Sequence, residues 1–383
     1  MAFEFATATR IVFGHGRITE LPTLARDFGQ RILMVTGSSP ARAQTIVDSL
    51  AKADFKTILF PVASEPTISL VQAGAELARS ESCDCVISIG GGSVIDAGKA
   101  IAALATNRGD ALDYVEVIGK AQPLSERPLP FIAIPTSAGT GAEVTRNAVL
   151  HSPEQRVKVS LRSALMLARV AIVDPELTHA LPPALTASTG MDALTQLIEP
   201  FVSNRANPMT DGFCREGIPR VARSLRRAFE NGGEAEARND MALASLLGGL
   251  ALANAGLGAV HGLAAPLGGM FPAPHGALCA ALLADVMQTN IQEAQKQKAM
   301  EITRRYNEIA RLLTGVATAR ASDGVQWVRT LYRDLQIARL SALGIQRESF
   351  SEICEKALNS SSMKGNPLPL TEPQLGEILD RAF

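Results

Sequence analysis

The sequence predicts an α/β domain with a parallel sheet at residues 1–176, followed by an all-α domain at residues 177–383. Two observations lead to this fold class. Short apolar runs alternate with helical patterns through the first part of the chain, and no strand pattern follows Asp174-Pro175. A chain of 383 residues is also long enough for two domains that each have a core.

The predicted strands are continuous apolar runs, which are typical of strands covered on both faces. In chain order they lie at residues 31–36, 57–61, 84–89, 130–134 and 170–173, and the helical patterns between them lie at roughly 41–53, 69–80 and from about Ser93. Strands that alternate with helices indicate a parallel sheet. We expect a ligand site at the carboxyl ends of these strands, between the two domains, because open α/β sheets bind ligands there.

The second domain shows only helical periodicity from Thr186 onward, broken by glycine and proline turns at residues 231–233 and 271–274. Its most apolar stretch, residues 241–267, is interrupted by Asn254 and His261. This stretch therefore predicts buried helices rather than a membrane span.

Composition argues against several classes of protein. The net charge is −1 and no basic block is present, so we expect no nucleic-acid partner. The first residues are not typical of a signal peptide, and we expect no membrane partner. The five cysteines are scattered and include no Cys-x-x-Cys pair, which argues against a zinc ribbon or a disulfide framework. These patterns predict a cytoplasmic protein.

Three consecutive glycines, Gly90-Gly91-Gly92, follow the predicted strand at 84–89 and open a helix. Without Cβ atoms the backbone can approach a phosphate closely, and the helix N-terminus offers free N–H groups. Ser93 suits an N-cap or a direct phosphate donor. We predict phosphate binding here, and the alternative is a tight turn without a ligand. Because the spacing is not G-x-G-x-x-G, the motif alone names no cofactor.

A second polar loop, residues 135–145, follows the predicted strand at 130–134 and mixes small hydroxyl residues with glycine. Such a backbone can wrap a polar ligand, although loops of this composition are also common linkers. Two loops of this kind at the strand ends of one sheet favour a shared ligand.

Four side chains of the helical domain carry the donor atoms of a divalent metal site. Asp192 and Gln196 are four residues apart and share one face of a predicted helix. His261 lies at the start of a helical segment, and His275 follows a proline-rich turn. A carboxylate, an amide oxygen and two imidazoles can coordinate a divalent ion, which polarises an alcohol or carbonyl oxygen. The alternative is two structural histidines and an Asp-x-x-x-Gln that arose by chance.

The motifs follow a fixed order along the chain, which is Gly90-Gly91-Gly92-Ser93 with Asp96, the loop Pro135 to Thr145, Asp174-Pro175, Gly190 to Thr195, and His261 with Pro274-His275-Gly276. In this combination the chain resembles the iron-containing alcohol dehydrogenases, from Phe13-Gly14 to Gly365-Asn366-Pro367. The resemblance implies a dinucleotide-binding α/β domain and a helical metal domain, the fold of dehydroquinate synthase and glycerol dehydrogenase. It also implies a homodimer.

The resemblance further implies roles for individual residues. The pyrophosphate of NAD or NADP would be held by Gly90, Gly91, Gly92 and Ser93. The nicotinamide and ribose would be lined by Asp96, Thr136, Ser137, Thr140 and Lys158. A divalent metal, Fe²⁺ or Zn²⁺, would be held by Asp192, Gln196, His261 and His275.

The sequence departs from the family pattern at two positions. The family usually has histidine where Gln196 stands, and often a further histidine where Ala265 stands. Because an amide oxygen is a weaker ligand than imidazole, we expect a lower affinity for iron or zinc. Without a histidine at 265, a water chain or a ribose hydroxyl of the cofactor would relay the proton.

The end of the first predicted strand bears on the choice of cofactor. Many relatives have Asp near Gly37, where a carboxylate would bond the ribose hydroxyls of NAD and repel the 2′-phosphate of NADP. Here Gly37, Ser38, Ser39 and Arg42 leave room and hydrogen-bond donors for that phosphate. The sequence therefore predicts that NADP(H) is accepted.

The resulting prediction is a metal-dependent, NAD(P)-linked alcohol dehydrogenase, or aldehyde or ketone reductase, that transfers hydride between nicotinamide and a small alcohol or carbonyl substrate. Its candidate catalytic residues are Lys158, Asp192, His261 and His275. One alternative is a metal-independent enzyme similar to maleylacetate reductase, acting on an acidic carbonyl substrate. Others are a dehydroquinate synthase-like lyase, for which the sequence shows no cationic cluster beside the two histidines, and a dinucleotide-binding protein without turnover.

Overall fold

The computed structural model describes residues 2–383, apart from the side chains of Pro40 and Arg42. The role in cofactor choice that the sequence predicts for Arg42 therefore concerns a side chain outside the described ones. The chain forms two compact units. The α/β unit comprises Ala6–Ser137 and Gly141–Thr178, and the helical unit comprises His179–Phe383 with Ala138–Thr140 and the N-terminal residues through Phe5.

Eight strands lie in the α/β unit: β1 Arg10–Phe13, β2 Arg31–Thr36, β3 Lys56–Pro61, β4 Cys85–Gly90, β5 Phe131–Pro135, β6 Asn147–Ser152, β7 Val157–Arg162 and β8 Val170–Val173. Six of them form one parallel sheet in the order β1-β8-β5-β4-β2-β3. The remaining two, β6 and β7, form an antiparallel pair. The predicted parallel sheet is confirmed, while β1 and the β6–β7 pair were not predicted.

The helices of the α/β unit are α1 Leu21–Ala25, α2 Gln44–Lys52, α3 Ile68–Ser80 and α4 Gly92–Thr106. Every residue of β4 and β5 is buried, as their continuous apolar sequences predict. Neighbouring parallel strands bring their carboxyl ends to one edge of the sheet. Gly90 of β4 pairs in register with Pro135 of β5, and the Thr136 N–H donates to the Gly90 carbonyl at 2.9 Å.

The helical unit contains α5 Pro183–Val202, α6 Pro208–Glu230, α7 Ala235–Ala255, α8 Ala259–Met270, α9 His275–Lys296, α10 Met300–Thr314, α11 Ala321–Asp334, α12 Phe350–Leu358 and α13 Glu372–Ala382. The prediction of helices alone in this region is confirmed for the described residues. Local sequence sets several helix starts. At α6, for example, the Asn207 side chain accepts from the Met209 and Thr210 N–H groups, and Pro208 occupies the first helical position.

The apolar stretch at 241–267 belongs to α7 and α8, which bury most of their residues. Across residues 2–383, no single helix is long and apolar enough to span a membrane. Together α7 and α8 pass that test by length and composition, but they are bent by 99° at the break between them.

Candidate active site

Three helices of the helical unit bring the predicted metal ligands together. Asp192 and Gln196 lie one turn apart on α5, and both are buried. His261 is buried in the first turn of α8, and His275 is the first residue of α9 with 35% of its side chain exposed. His261 near the start of α8 and His275 directly after the turn at 271–274 agree with the sequence prediction.

The ligand atoms of this group are close to one another. His261 Nε2 lies 3.4 Å from Asp192 Oδ1, and His275 Nε2 lies 3.8 Å from the same oxygen. The Sγ atom of Cys279, one turn further along α9, lies 3.6 Å from His275 Nε2. The ligand atoms of Asp192, His261, His275 and Cys279 all lie within 4.8 Å of one another, and we call these four residues the metal cluster.

Gly276 allows α9 to approach α5 closely enough to form this cluster. A Cβ atom at Gly276 would lie 2.4 Å from the backbone carbonyl oxygen of Ser188. Backbone cannot move aside as a flexible side chain can, so a side chain at 276 would push the start of α9 away from α5. The position of His275 beside Asp192 therefore depends on a glycine as the next residue.

A carboxylate on α5 orients one of the two imidazoles. Glu199 is buried, and its Oε2 lies 2.6 Å from Nδ1 of His261. The other carboxylate oxygen accepts from the Val260 N–H at 2.7 Å. With Nδ1–H donating to Glu199, Nε2 of a neutral His261 keeps its lone pair toward the metal cluster, which is the usual arrangement for a metal-binding histidine.

The charges around the cluster favour a cation. Burial alone would lower the pKa of His261, but the neighbouring Cys279, Glu199 and Asp192 side chains raise it well above its ordinary value. Burial likewise opposes protonation of His275, yet Cys279 and Asp192 raise its pKa. A site whose anions draw protons onto two imidazoles also attracts a divalent metal ion in their place.

The Asp192 carboxyl is held in its ionised form. Burial would raise its pKa, but the two imidazoles and a hydrogen bond from the Gln196 amide outweigh burial and lower the pKa below its ordinary value. A carboxylate kept ionised in a buried position is a ligand ready for a metal.

Unpaired polar atoms supply the test of whether the predicted ligands fit a metal. Among the described residues, Asp192 Oδ1, Gln196 Oε1 and His261 Nε2 are buried and make no hydrogen bond, and the contact between Asp192 Oδ1 and His261 Nε2 is an ion pair at 3.4 Å. An unsatisfied buried polar atom costs about 1–3 kcal/mol, so three in one place need an explanation. Lone pairs of a carboxylate, an amide and an imidazole are the donors that a divalent metal takes, and the residues present therefore fit such an ion.

Sequence reasoning missed Glu199 and Cys279. A signal for each was present, because Glu199 follows Asp192 by seven residues and Cys279 follows His275 by four, spacings that return to the same face of a helix. Neither spacing alone distinguishes a site residue from a core residue.

The glycine turn in the α/β unit lies where a phosphate-binding loop is expected. β4 ends at Gly90, Gly91 is the N-cap of α4, and Gly92 is its first residue. The suggestion that Ser93 is the N-cap was wrong, because Ser93 lies within the first turn and no side chain caps this helix. The uncapped N–H groups at the start of α4 are therefore free to bind an anion.

The second polar loop begins beside this turn. A Cβ atom at Gly91 would lie 3.5 Å from Ser137 Oγ, so Thr136 and Ser137 are close to the glycine turn. Thr140 belongs to the helical unit. There the neighbouring Gly139 packs against α5, because a Cβ atom at 139 would lie 2.7 Å from the Cβ of Thr189.

Asp96 and Lys158 are each paired with other side chains of the α/β unit. Asp96 Oδ2 accepts from the Val149 N–H at 3.1 Å, and Oδ1 lies 3.2 Å from Nζ of the buried Lys99. Lys158, on β7, donates to Glu65 at 2.6 Å. Both residues thus have structural contacts besides the cofactor roles that were predicted for them.

Gly37, Ser38 and Ser39 follow β2 directly, and both serines are exposed. A Cβ atom at Gly37 would meet no atom of the described side chains and backbone within 4 Å. The segment therefore has open space at the strand end where a carboxylate was expected in relatives that use NAD.

A parallel α/β unit with a glycine turn at a helix start and a helical unit with a buried carboxylate–histidine cluster are typical of a metal-dependent oxidoreductase that uses a dinucleotide cofactor. Comparison with known proteins gives the family. Residues 8–175 match the iron-containing alcohol dehydrogenase family, and residues 186–383 match the C-terminal part of the Fe-containing alcohol dehydrogenase family. The chain belongs to the iron-containing alcohol dehydrogenases, oxidoreductases that act on CH–OH groups with NAD(H) and a divalent metal.

Individual relatives agree with this assignment. Choline dehydrogenase of Bacillus subtilis is 36% identical over 342 residues, covering 89% of this chain and 84% of the relative. Alcohol dehydrogenase 4 of Saccharomyces cerevisiae is 38% identical over 319 residues, covering 83% and 81%.

Solved structures agree as well. A crystal structure of 1,3-propanediol oxidoreductase superposes with a TM-score of 0.93 at 34% identity and covers all of both chains. Sulfoacetaldehyde reductase of Bifidobacterium kashiwanohense in complex with NAD⁺ superposes with a TM-score of 0.88 at 29% identity, covering 100% of this chain and 99% of that structure.

Proposed function

We propose that this chain is a metal-dependent, NAD(P)-linked dehydrogenase of small alcohols that also reduces the corresponding aldehydes or ketones. The observation that carries the proposal is the set of buried ligand atoms without hydrogen bonds at Asp192, Gln196 and His261. Buried donor atoms without hydrogen bonds cost stability, and a bound metal ion would satisfy them.

The proposed metal ligands are Asp192, Gln196, His261 and His275. A divalent ion there supplies Lewis-acid polarisation of an alcohol or carbonyl oxygen. Asp192 contributes the negative charge, Glu199 fixes the tautomer of His261, and the exposed part of His275 leaves the cluster open on one side. Since Ala265 offers no imidazole, proton transfer to solvent falls to water or to a ribose hydroxyl of the cofactor.

The proposed dinucleotide site uses the glycine turn and the loop that starts beside it. Gly90, Gly91, Gly92 and the N-terminus of α4 bind the pyrophosphate with backbone N–H groups, and Ser93 adds a hydroxyl. Asp96, Thr136, Ser137, Thr140 and Lys158 are proposed to line the nicotinamide and ribose. The uncrowded Gly37 with exposed Ser38 and Ser39 supports acceptance of NADP(H).

The substrate class is proposed from chemistry and relatives together. Three of the relatives' names give choline, 1,3-propanediol and sulfoacetaldehyde, which are small, polar alcohols or aldehydes, and another gives long-chain alcohols. We propose a substrate similar in size to the first three. We also propose a domain boundary near residue 176, a homodimer and a cytoplasmic location, the last supported by five buried cysteines that are all free.

Metal analysis combined with turnover tests the proposal. Protein purified anaerobically with iron and zinc supplied should retain close to one equivalent of metal and oxidise small diols or alcohols with NAD⁺ or NADP⁺. Asp192→Asn should lose both the metal and turnover, while Glu308→Gln, which changes an ion-paired carboxylate elsewhere in the helical unit, should lose neither. Less than about a tenth of an equivalent of metal, with turnover of acidic carbonyl substrates, would instead support the metal-independent reductase.

A further inference from the structure

One side chain of the metal cluster has no part in the ligand set proposed above. Cys279 is fully buried on α9, one turn after His275. Its Sγ lies 3.6 Å from His275 Nε2 and within 4.8 Å of the ligand atoms of Asp192 and His261. Within the described part of the chain, this is the one group of histidine, cysteine and acidic side chains close enough together to hold a metal ion.

We infer that the Cys279 thiolate is a ligand of the bound metal and that, with Asp192, His261 and His275, it forms the strong ligand set, to which the proposed Gln196 amide adds only a weaker bond. This inference rests on the metal-dependent function proposed above. The other four cysteines, although also buried and free, lie outside the cluster, namely Cys83, Cys85, Cys214 and Cys354.

The separations within the cluster fit a tetrahedral ion. Bonds of about 2.0–2.1 Å to nitrogen or oxygen and about 2.3 Å to sulfur set neighbouring tetrahedral ligands about 3.3–3.6 Å apart. The Asp192–His261 separation is 3.4 Å and the His275–Cys279 separation is 3.6 Å, while His275 and Asp192 are slightly farther apart at 3.8 Å. These three separations lie within about 0.2 Å of the tetrahedral range, and the remaining separations in the cluster are within 4.8 Å.

Two independent features point to a ligand at this place. Asp192 Oδ1 and His261 Nε2 are buried, make no hydrogen bond and belong to the same group of atoms as Cys279 Sγ. In addition, Glu199 contacts Nδ1 of His261, so the other ring nitrogen, Nε2, is directed away from Glu199. A thiol that merely filled space in an apolar core would not have these neighbours.

Ligand chemistry favours the thiolate over the amide. A thiolate binds zinc and other late first-row metals strongly, whereas an amide oxygen is a weak ligand that suits hard ions. Gln196 lies one turn from Asp192 on α5, and its amide oxygen is the weaker of the two ligands. The cluster is therefore better suited to zinc or cobalt than to a hard ion such as magnesium.

Cobalt spectroscopy and X-ray absorption test the inference directly. In the metal-depleted full-length protein reloaded with Co²⁺, we expect a thiolate-to-cobalt charge-transfer band in the near ultraviolet. The zinc-loaded protein should show one sulfur scatterer at about 2.3 Å at the zinc edge. Cys279→Ser should abolish the band and lower zinc affinity about tenfold or more, while the matched Cys214→Ser, which changes another fully buried cysteine of the helical unit, should change neither.

The possible failures are distinguishable. Stoichiometric Co²⁺ with no charge-transfer band and a zinc edge with only nitrogen and oxygen neighbours would overturn the role of Cys279 and leave the proposed dehydrogenase intact. Absence of bound cobalt and zinc would overturn both. Because the X-ray absorption measurement uses the unsubstituted protein, the result stands even where Cys279→Ser fails to fold.

Discussion

Nδ1 of His261 lies 2.6 Å from Oε2 of Glu199, and both side chains are buried. This contact selects the tautomer and the ring orientation of a proposed metal ligand without itself being a ligand. Partners of this kind also raise the basicity of the imidazole they hold.

Removal of the Glu199 carboxylate should therefore weaken metal binding while the cluster remains in place. We expect Glu199→Ala to lower the affinity for Zn²⁺ by about 10–100-fold and Glu199→Gln, which keeps a hydrogen-bond acceptor, to lower it less. Competition with a chromogenic chelator measures both affinities. An affinity in Glu199→Ala equal to that of the unsubstituted protein would mean that His261 does not bind the metal through Nε2.

Restoring imidazole at position 196 should strengthen the site. Gln196 is buried beside Asp192, and its Oε1 has no hydrogen bond to lose. We expect Gln196→His to raise the affinity for iron or zinc by about tenfold and to increase alcohol oxidation. Gln196→Ala is the control, which should show no gain of either kind. If metal content and alcohol oxidation are both unchanged in Gln196→His, position 196 does not contact the metal.

Much of the fold could be predicted from sequence because its central strands are fully buried. Continuous apolar runs such as Cys85–Gly90 and Phe131–Pro135 predict buried strands directly from the sequence. β1, Arg10–Phe13, spans only four residues and has just one buried position, so its sequence hardly predicts a strand. In contrast, β7 reads Val-Lys-Val-Ser-Leu-Arg, an alternation typical of a half-buried strand that a search for continuous runs overlooks.

The metal cluster could be predicted only in part. The sequence showed the spacing of Asp192 and Gln196, the position of His261 at the start of a helical segment and the position of His275 after a proline-rich turn. The membership of Cys279 in the metal cluster could not be predicted from spacing alone. It depends on how closely α9 approaches α5, and tertiary packing at Gly276 sets that distance.

A buried acid in the α/β unit gives the protein a pH-dependent stability. Burial raises the pKa of Glu143 from 4.5 to about 7, although a backbone hydrogen bond and the nearby Lys99 partly oppose it. Between these two values folded Glu143 holds a proton that the unfolded chain has released. Stability should therefore fall as pH rises through this window, by at most about 3 kcal/mol, and change no further above it.

The comparison that isolates this effect is Glu143→Gln, which keeps the size of the side chain and removes the ionisation. We subtract the unfolding free energy of the unsubstituted protein from that of Glu143→Gln. We expect this difference to increase from pH 5 to pH 8, as measured by urea unfolding at each pH. Glu76→Gln, at an exposed carboxylate of the same unit, is the matched control for replacing a glutamate by glutamine. Parallel pH curves for Glu143→Gln and the unsubstituted protein would show that Glu143 is ionised in the folded state throughout.

A substitution at Gly37 should shift cofactor preference from NADP(H) toward NAD(H). Because a Cβ atom there would meet no described atom within 4 Å, the first atom of an aspartate side chain fits at position 37. That carboxylate should repel the 2′-phosphate of NADP and accept hydrogen bonds from the ribose of NAD. We expect the ratio of kcat/KM for NADP(H) to kcat/KM for NAD(H) to fall about tenfold, the change that 1.4 kcal/mol of repulsion produces.

Gly37→Ala separates charge from bulk, since it adds the Cβ atom alone and should leave the ratio nearly unchanged. Raising the salt concentration should reduce the effect of Gly37→Asp, because charges at an exposed strand end are screened within about 10 Å at 0.1 M salt. A ratio that already favours NAD(H) strongly in the unsubstituted protein would contradict acceptance of NADP(H). A ratio that Gly37→Ala and Gly37→Asp shift equally would show that space, and not charge, decides which cofactor binds.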